Sequence, residues 1–168
     1  MLNYQFNWSA ITSGIYAEWL WQGLLLTLQL AALSCVLGFV LGLVVAILRM
    51  SPVVPLRWLA QAYLEFIRNT PLVIQIFFWY FGAYEVLPQA VNDWLNQWSF
   101  EFVAAVIALT VYTSAFIAED IRSGIRAVPR EQMEAARSQG LGYLAAMRFV
   151  ILPQAVRITV PPLIGQFL

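Results

Sequence analysis

Residues 19–48 form a run of 30 residues without a charge, bounded by Glu18 and Arg49. About 20 such residues are enough to cross a bilayer as a helix. A chain of 168 residues, 61% hydrophobic and only 11% charged, cannot hide this much apolar surface in a soluble core. Soluble domains carry roughly 25% charged residues. Lipid must therefore be the solvent for much of the surface.

The remaining spans follow from the same reasoning. Pro52 and Pro55 block continuation of the first helix. A second span is expected at about 58–83, although it contains Glu65 and Arg68. A third covers 102–118, with 17 uncharged residues. A fourth begins near 149 and runs to 168. The fold expected is all-α and membrane-integral, a single transmembrane domain over 1–168 with a polar segment at about 119–148.

All nine cationic residues are arginine, at 49, 57, 68, 122, 126, 130, 137, 148 and 157. The N-terminal segment and the stretch 82–101 have none, but carry Glu18, Glu85, Asp93 and Glu101. Cytoplasmic loops carry the excess of cations, so the N-terminus is expected outside and 119–148 in the cytoplasm. Trp19, Trp21, Trp94 and Trp98 fit an outer interfacial belt. In the first span Gly23, Thr27, Ala31, Ser34, Gly38 and Gly42 make a stripe of small residues, suited to close packing on a neighbouring helix of the same chain.

Absences narrow the function. Without lysine the chain cannot build the G-K-[ST] phosphate loop, and without histidine it has no Ser-His-Asp triad or His-based zinc site. No catalytic residue, metal site or cofactor is expected on the chain itself.

Within the polar segment, Pro129 suits the first turn of a helix. Glu131 and Glu134 lie toward the positive end of its dipole, Arg137 lies in the last turn, and Gly140 supplies a left-handed cap. Such a helix, about 11 residues long, is marginal alone, so something should pack on it. A second polar set lies in the span at 58–83. Glu65 and Arg68 share a helix face and can pair, and Asn69, Thr70 and Gln75 continue it, with Pro71 able to open the backbone. Charged groups inside a span mark a pathway or a buried pair. These residues are candidates for a translocation pathway. An ion-gradient carrier and a non-transporting scaffold both remain compatible with the composition.

Glu134-Ala135-Ala136, then Gly140, then Ile151-Leu152-Pro153 reproduce the pattern E-A-A-x3-G-x9-hydrophobic-x-x-P. It resembles the EAA loop of bacterial ABC importer permeases. GLLLTLQLAALS, EFIRNTPLVIQIFFWYFG, YTSAFIAEDIRSGIRAVPREQMEAA and ILPQAVRITVPPL are similar to the polar amino-acid branch of that family. The resemblance implies an ABC importer-type helix bundle, with a fifth span expected after residue 168. It implies that Glu134, Ala135, Ala136, Arg137 and Gly140 dock a cytoplasmic ABC ATPase dimer, which uses the ATP. It also implies a second permease copy or paralogue and an extracytoplasmic solute-binding protein as partners, in the bacterial inner membrane.

Overall fold

The computed structural model describes residues 8–167, those at 9, 10, 84 and 167 by backbone alone. The expected exterior position of the N-terminus and the last residue of the span at 149–168 thus fall outside the described residues. The described residues form helices joined by short turns: α1 Ser9–Thr12, α2 Ile15–Met50, α3 Val54–Asn69, α4 Leu72–Phe77, α5 Ala83–Val86, α6 Gln89–Asn96, α7 Phe100–Ala127, α8 Arg130–Ser138, α9 Tyr143–Ala146 and α10 Leu152–Phe167. Two single π turns, Phe78–Gly82 and Met147–Ile151, join α4 to α5 and α9 to α10. Among the described residues three helical stretches are long and apolar enough to cross a membrane: Ile15–Met50, Phe100–Ala127 and Tyr143–Gln166.

The central element is α7, with α2, α3, α4 and α10 packed against it. It runs parallel to α2, since Gly38 faces Thr113 and Gly42 faces Ile117. It runs antiparallel to α10, since Gly124 lies against Thr159 and Ala155 while Val128 clusters with Ile151. The small-residue stripe of α2 divides. Ser34, Gly38 and Gly42 are buried against α7, whereas Gly23, Thr27 and Ala31 are exposed. A Cβ placed on Gly42 would come within 2.8 Å of Ile117 Cγ2 and 2.9 Å of the Ser114 carbonyl, so only glycine permits this approach. Val45, Ala46, Leu64, Ala115 and Ala118 extend the contact into the main apolar core.

The span expected at 58–83 is not one helix. It starts earlier, at Val54, ends at Asn69, and resumes at Leu72. Thr70 is extended (φ −104°, ψ 123°), as is Pro71 (φ −56°, ψ 139°). A proline disfavours α conformation in the residue before it and offers no N–H of its own, so Thr70-Pro71 divides the span. Its first half, α3, is amphipathic, burying Ala60, Leu64 and Ile67 at helical spacing while exposing Trp58, Leu59 and Phe66. A proline also explains the second π turn. Pro153 would press its ring on the carbonyl four residues back, at Phe149, and the widened turn at Met147–Ile151 relieves that contact.

The α2–α7 contact yields a stability prediction. Gly42→Leu should destabilise the folded chain by about 1–3 kcal/mol through overpacking. Gly23→Leu, where an added Cβ meets nothing within 4 Å, should be near neutral. Thermal unfolding of both variants in the same detergent checks this contrast.

Candidate functional site

The polar segment folds as a short helix strapped across the ends of α7 and α10. Its axis is shorter than expected: α8 has nine residues, and Pro129 sits just before it with extended backbone instead of inside the first turn. At its C-terminus Gly140 has φ +84°. The Gly140 N–H donates to the Arg137 carbonyl at 2.9 Å, and the Leu141 N–H donates to the Ala136 carbonyl at 3.2 Å. These two bonds are the paired contacts of a Schellman cap, and they require the left-handed residue that glycine supplies.

The expected docking residues separate into two groups. Ala136 is buried, and Met133 packs beside it on the cluster of Val128, Ile151 and Ala155. Both fasten α8 to its own chain; Ala136 is closed to a partner, and Met133 is half-buried at the edge of a cleft. Glu134, Ala135 and Arg137 face outward and are exposed. Gln154 of α10 reaches Gln132 of α8 at 3.4 Å and donates to the Val150 carbonyl at 2.9 Å. A cleft of about 370 Å3, lined by Val128, Pro129, Met133 and Met147 among others, remains beneath the first turn of α8. The helix is thus held along one edge with a void beside it.

The second polar set surrounds a cleft of about 280 Å3 between α2, α3 and α7, lined by Arg49, Gln61, Glu65, Arg68, Asn69 and Phe116. The expected Glu65–Arg68 pair does not form. Glu65 accepts a hydrogen bond from Gln61 Nε2, and the Arg68 guanidinium lies over the Phe116 ring, 5.6 Å from its centroid. A cation above an aromatic face is stabilised without a counterion. Thr70 turns its hydroxyl back to the Phe66 carbonyl at 2.8 Å. Asn69 is exposed on the cleft.

Gln75 has a different place from the one expected. It is buried, and its Nε2 donates to the carbonyls of both Ile67 and Thr70 at 3.0 Å. Pro71 breaks the helical ladder here, and the Ile67 carbonyl keeps only the Thr70 N–H at 3.3 Å. Gln75 supplies a donor to it and to the Thr70 carbonyl, so its side chain is spent on the break and not on a pathway. Lipid offers no substitute partner. Its Oε1 is buried without a hydrogen-bond partner.

One polar arrangement does not follow from the sequence pattern. Arg49 at the end of α2 bonds Glu119 of α7 at 2.7 Å, and Arg122 bonds the other oxygen of the same carboxylate. The i, i+3 spacing of Glu119 and Arg122 was visible, but the tie to Arg49 depends on α2 and α7 running parallel. Tyr63 of α3 likewise donates to the Val111 carbonyl at 2.9 Å and lies 2.7 Å from Ser114 Oγ, pinning α3 to α7. Among the described residues no group of three or more His, Cys, Asp or Glu side chains gathers to hold a metal.

This arrangement of spans and strapped helix recurs in known proteins. Residues 38–168 match the family described as "binding-protein-dependent transport system inner membrane component". The chain is 50% identical over 142 residues to a probable glutamine ABC transporter permease protein, GlnM, of Bacillus subtilis, covering 84% of this chain and 62% of that one. It is 34% identical to the glutamate/aspartate import permease protein GltJ of Escherichia coli, covering 91% and 64%. A crystal structure of an amino acid ABC transporter with histidines superposes with a TM-score of 0.80 at 35% identity, covering 98% of this chain and 72% of that one. The chain belongs to the binding-protein-dependent inner membrane transport components, a multi-pass membrane family, and spans about 62–64% of the length of GlnM and GltJ.

Gln75→Leu tests the repair of the broken span. Removing the side chain leaves the part-buried Thr70 carbonyl without its Gln75 donor and the Ile67 carbonyl with only the Thr70 N–H at 3.3 Å, a loss of about 1–3 kcal/mol. The variant should therefore lose thermal stability and yield, whereas Asn69→Leu on the exposed cleft edge should not. Comparison of their unfolding midpoints in detergent provides the check.

Proposed function

We propose that the chain is the membrane-spanning permease subunit of an ATP-driven importer of polar amino acids. In this reading α8 faces the cytoplasm and transmits closure of a separate ABC ATPase dimer to the spans, while the N-terminus faces outside. The observation that carries it is the two-sidedness of α8: Ala136 and Met133 hold it to the bundle while Glu134, Ala135 and Arg137 stay open to a partner. A helix fixed to two spans and offering a charged outer face suits mechanical coupling, which needs contacts that differ between two states. The ATP is used by the partner, since this chain has no lysine for a phosphate loop. A second permease copy or paralogue and an extracytoplasmic binding protein complete the assembly.

The relatives support the amino-acid reading and leave the particular solute open. By their names they are permeases for glutamine, for glutamate and aspartate, and for arginine. The cleft residues Glu65, Arg68 and Asn69, with the adjoining Thr70, are the proposed contributors to the pathway, Arg68 being a cation without an ion-pair partner among the described residues. These similarities to ABC permeases do not support an ion-gradient carrier or a non-transporting scaffold.

The test is ATP-driven uptake into vesicles containing the full assembly. Glu134→Lys should lower uptake at least tenfold with normal membrane insertion, and Gly140→Val should do the same by straining the left-handed cap. Ala135→Ser should retain most of the activity. Wild-type uptake by the Glu134→Lys protein would refute the coupling role, and accumulation driven by an ion gradient without ATPase would refute the importer class.

A further inference from the structure

Beside the polar cleft a second opening lies between the ends of α2, α3 and α7, of about 330 Å3, lined by Arg49, Arg57, Arg122, Arg126, Gln61 and Met50. Four guanidinium groups meet there. The carboxylate among them, Glu119, is already bonded to both Arg49 and Arg122. Arg57 and Arg126 are exposed and take part in no ion pair among the described residues. The opening is therefore a strongly cationic recess at the end of the spans that carries the arginines.

Met50 is also part of a neighbouring groove of about 480 Å3 between α2, α7 and α10. Ile47, Ile125, Leu152 and Val156 line it, and its polar side chain, Thr159, is spent on the Ala155 carbonyl at 2.8 Å. On α7 the two openings are adjacent in sequence, with Ile121 and Ile125 in the groove and Arg122 and Arg126 in the recess. The cationic recess and the apolar slot thus flank the same ends of α2 and α7 and share Met50 as a common wall.

We propose that this composite site binds one anionic phospholipid, its phosphodiester headgroup among Arg57, Arg122 and Arg126 and an acyl chain in the groove between α2, α7 and α10. Basic pockets between spanning helices at the cytoplasmic side suit anionic headgroups, and the groove gives that ligand a place for its hydrocarbon that a free phosphate does not need. A second copy of the chain is a poorer occupant. A two-fold contact would set the same arginines against each other. The inference shares with the proposed function the cytoplasmic placing of these span ends, but does not depend on transport itself.

The experiment is native mass spectrometry of the protein in its purified assembly, extracted from vesicles of phosphatidylglycerol and phosphatidylcholine with identical acyl chains. Wild type should retain phosphatidylglycerol preferentially. Arg57→Gln with Arg126→Gln should lower that retention roughly tenfold or more, since each cation near an anionic lipid contributes about fivefold. The charge-matched pair Arg148→Gln with Arg157→Gln should leave it unchanged, which separates a defined site from general basicity. Val156→Trp, which fills the groove, should also reduce retention. Equal retention by the Arg57/Arg126 variant would overturn the proposal. So would displacement of the lipid by millimolar inorganic phosphate, which would mean a free-anion site, or a cross-link between two copies through Val156→Cys.

Discussion

The fold depends on how closely α7 approaches the helices on either side of it. In lipid the hydrophobic effect does not press helices together, so association relies on dense van der Waals contact and a few polar bonds. Gly38 and Gly42 let α2 reach the backbone of α7, and Gly124 lets α10 do the same from the other side. The polar ties then fix register: Arg49 to Glu119 between α2 and α7, and Tyr63 to Val111 between α3 and α7. Enlarging any of the three glycines would push apart surfaces that also carry those ties.

The broken span shows the same economy in hydrogen bonding. A proline at 71 interrupts the helical ladder, and Gln75 adds a donor to the Ile67 and Thr70 carbonyls at the break. Thr70 assists by returning its hydroxyl to the Phe66 carbonyl. The result places Glu65, Arg68 and Asn69 on the last two turns of a helix that stops at the break, where they line a cleft between α2, α3 and α7.

Much of this was legible in the sequence because it follows from local rules. The apolar run at 19–48 fixed α2, the proline and glycine flanking the EAA stretch fixed α8, and Gly140 takes the left-handed conformation its position demanded. What was not legible depends on three-dimensional partners. Gln75 and Glu65 are both polar residues in an apolar segment, and only the fold distinguishes the one that caps a break from the one that faces a cleft. The two alanines of the EAA stretch are chemically identical, yet Ala136 is buried in the bundle and Ala135 is not. Arg49 counted only among the arginines that set orientation, and its bond to Glu119 required knowing that α2 and α7 run in the same direction.

The strap formed by α8 has a mechanical consequence. It closes a hairpin whose two arms, α7 and α10, are locked where Gly124 meets Thr159 and Ala155. That lock lies only a short distance above α8, while both arms continue well beyond it. A small tilt imposed at the crossbar would therefore pivot about the lock and be magnified toward the far end of the hairpin. The arrangement is that of a lever with a short input arm, its closest backbone approach at Gly124.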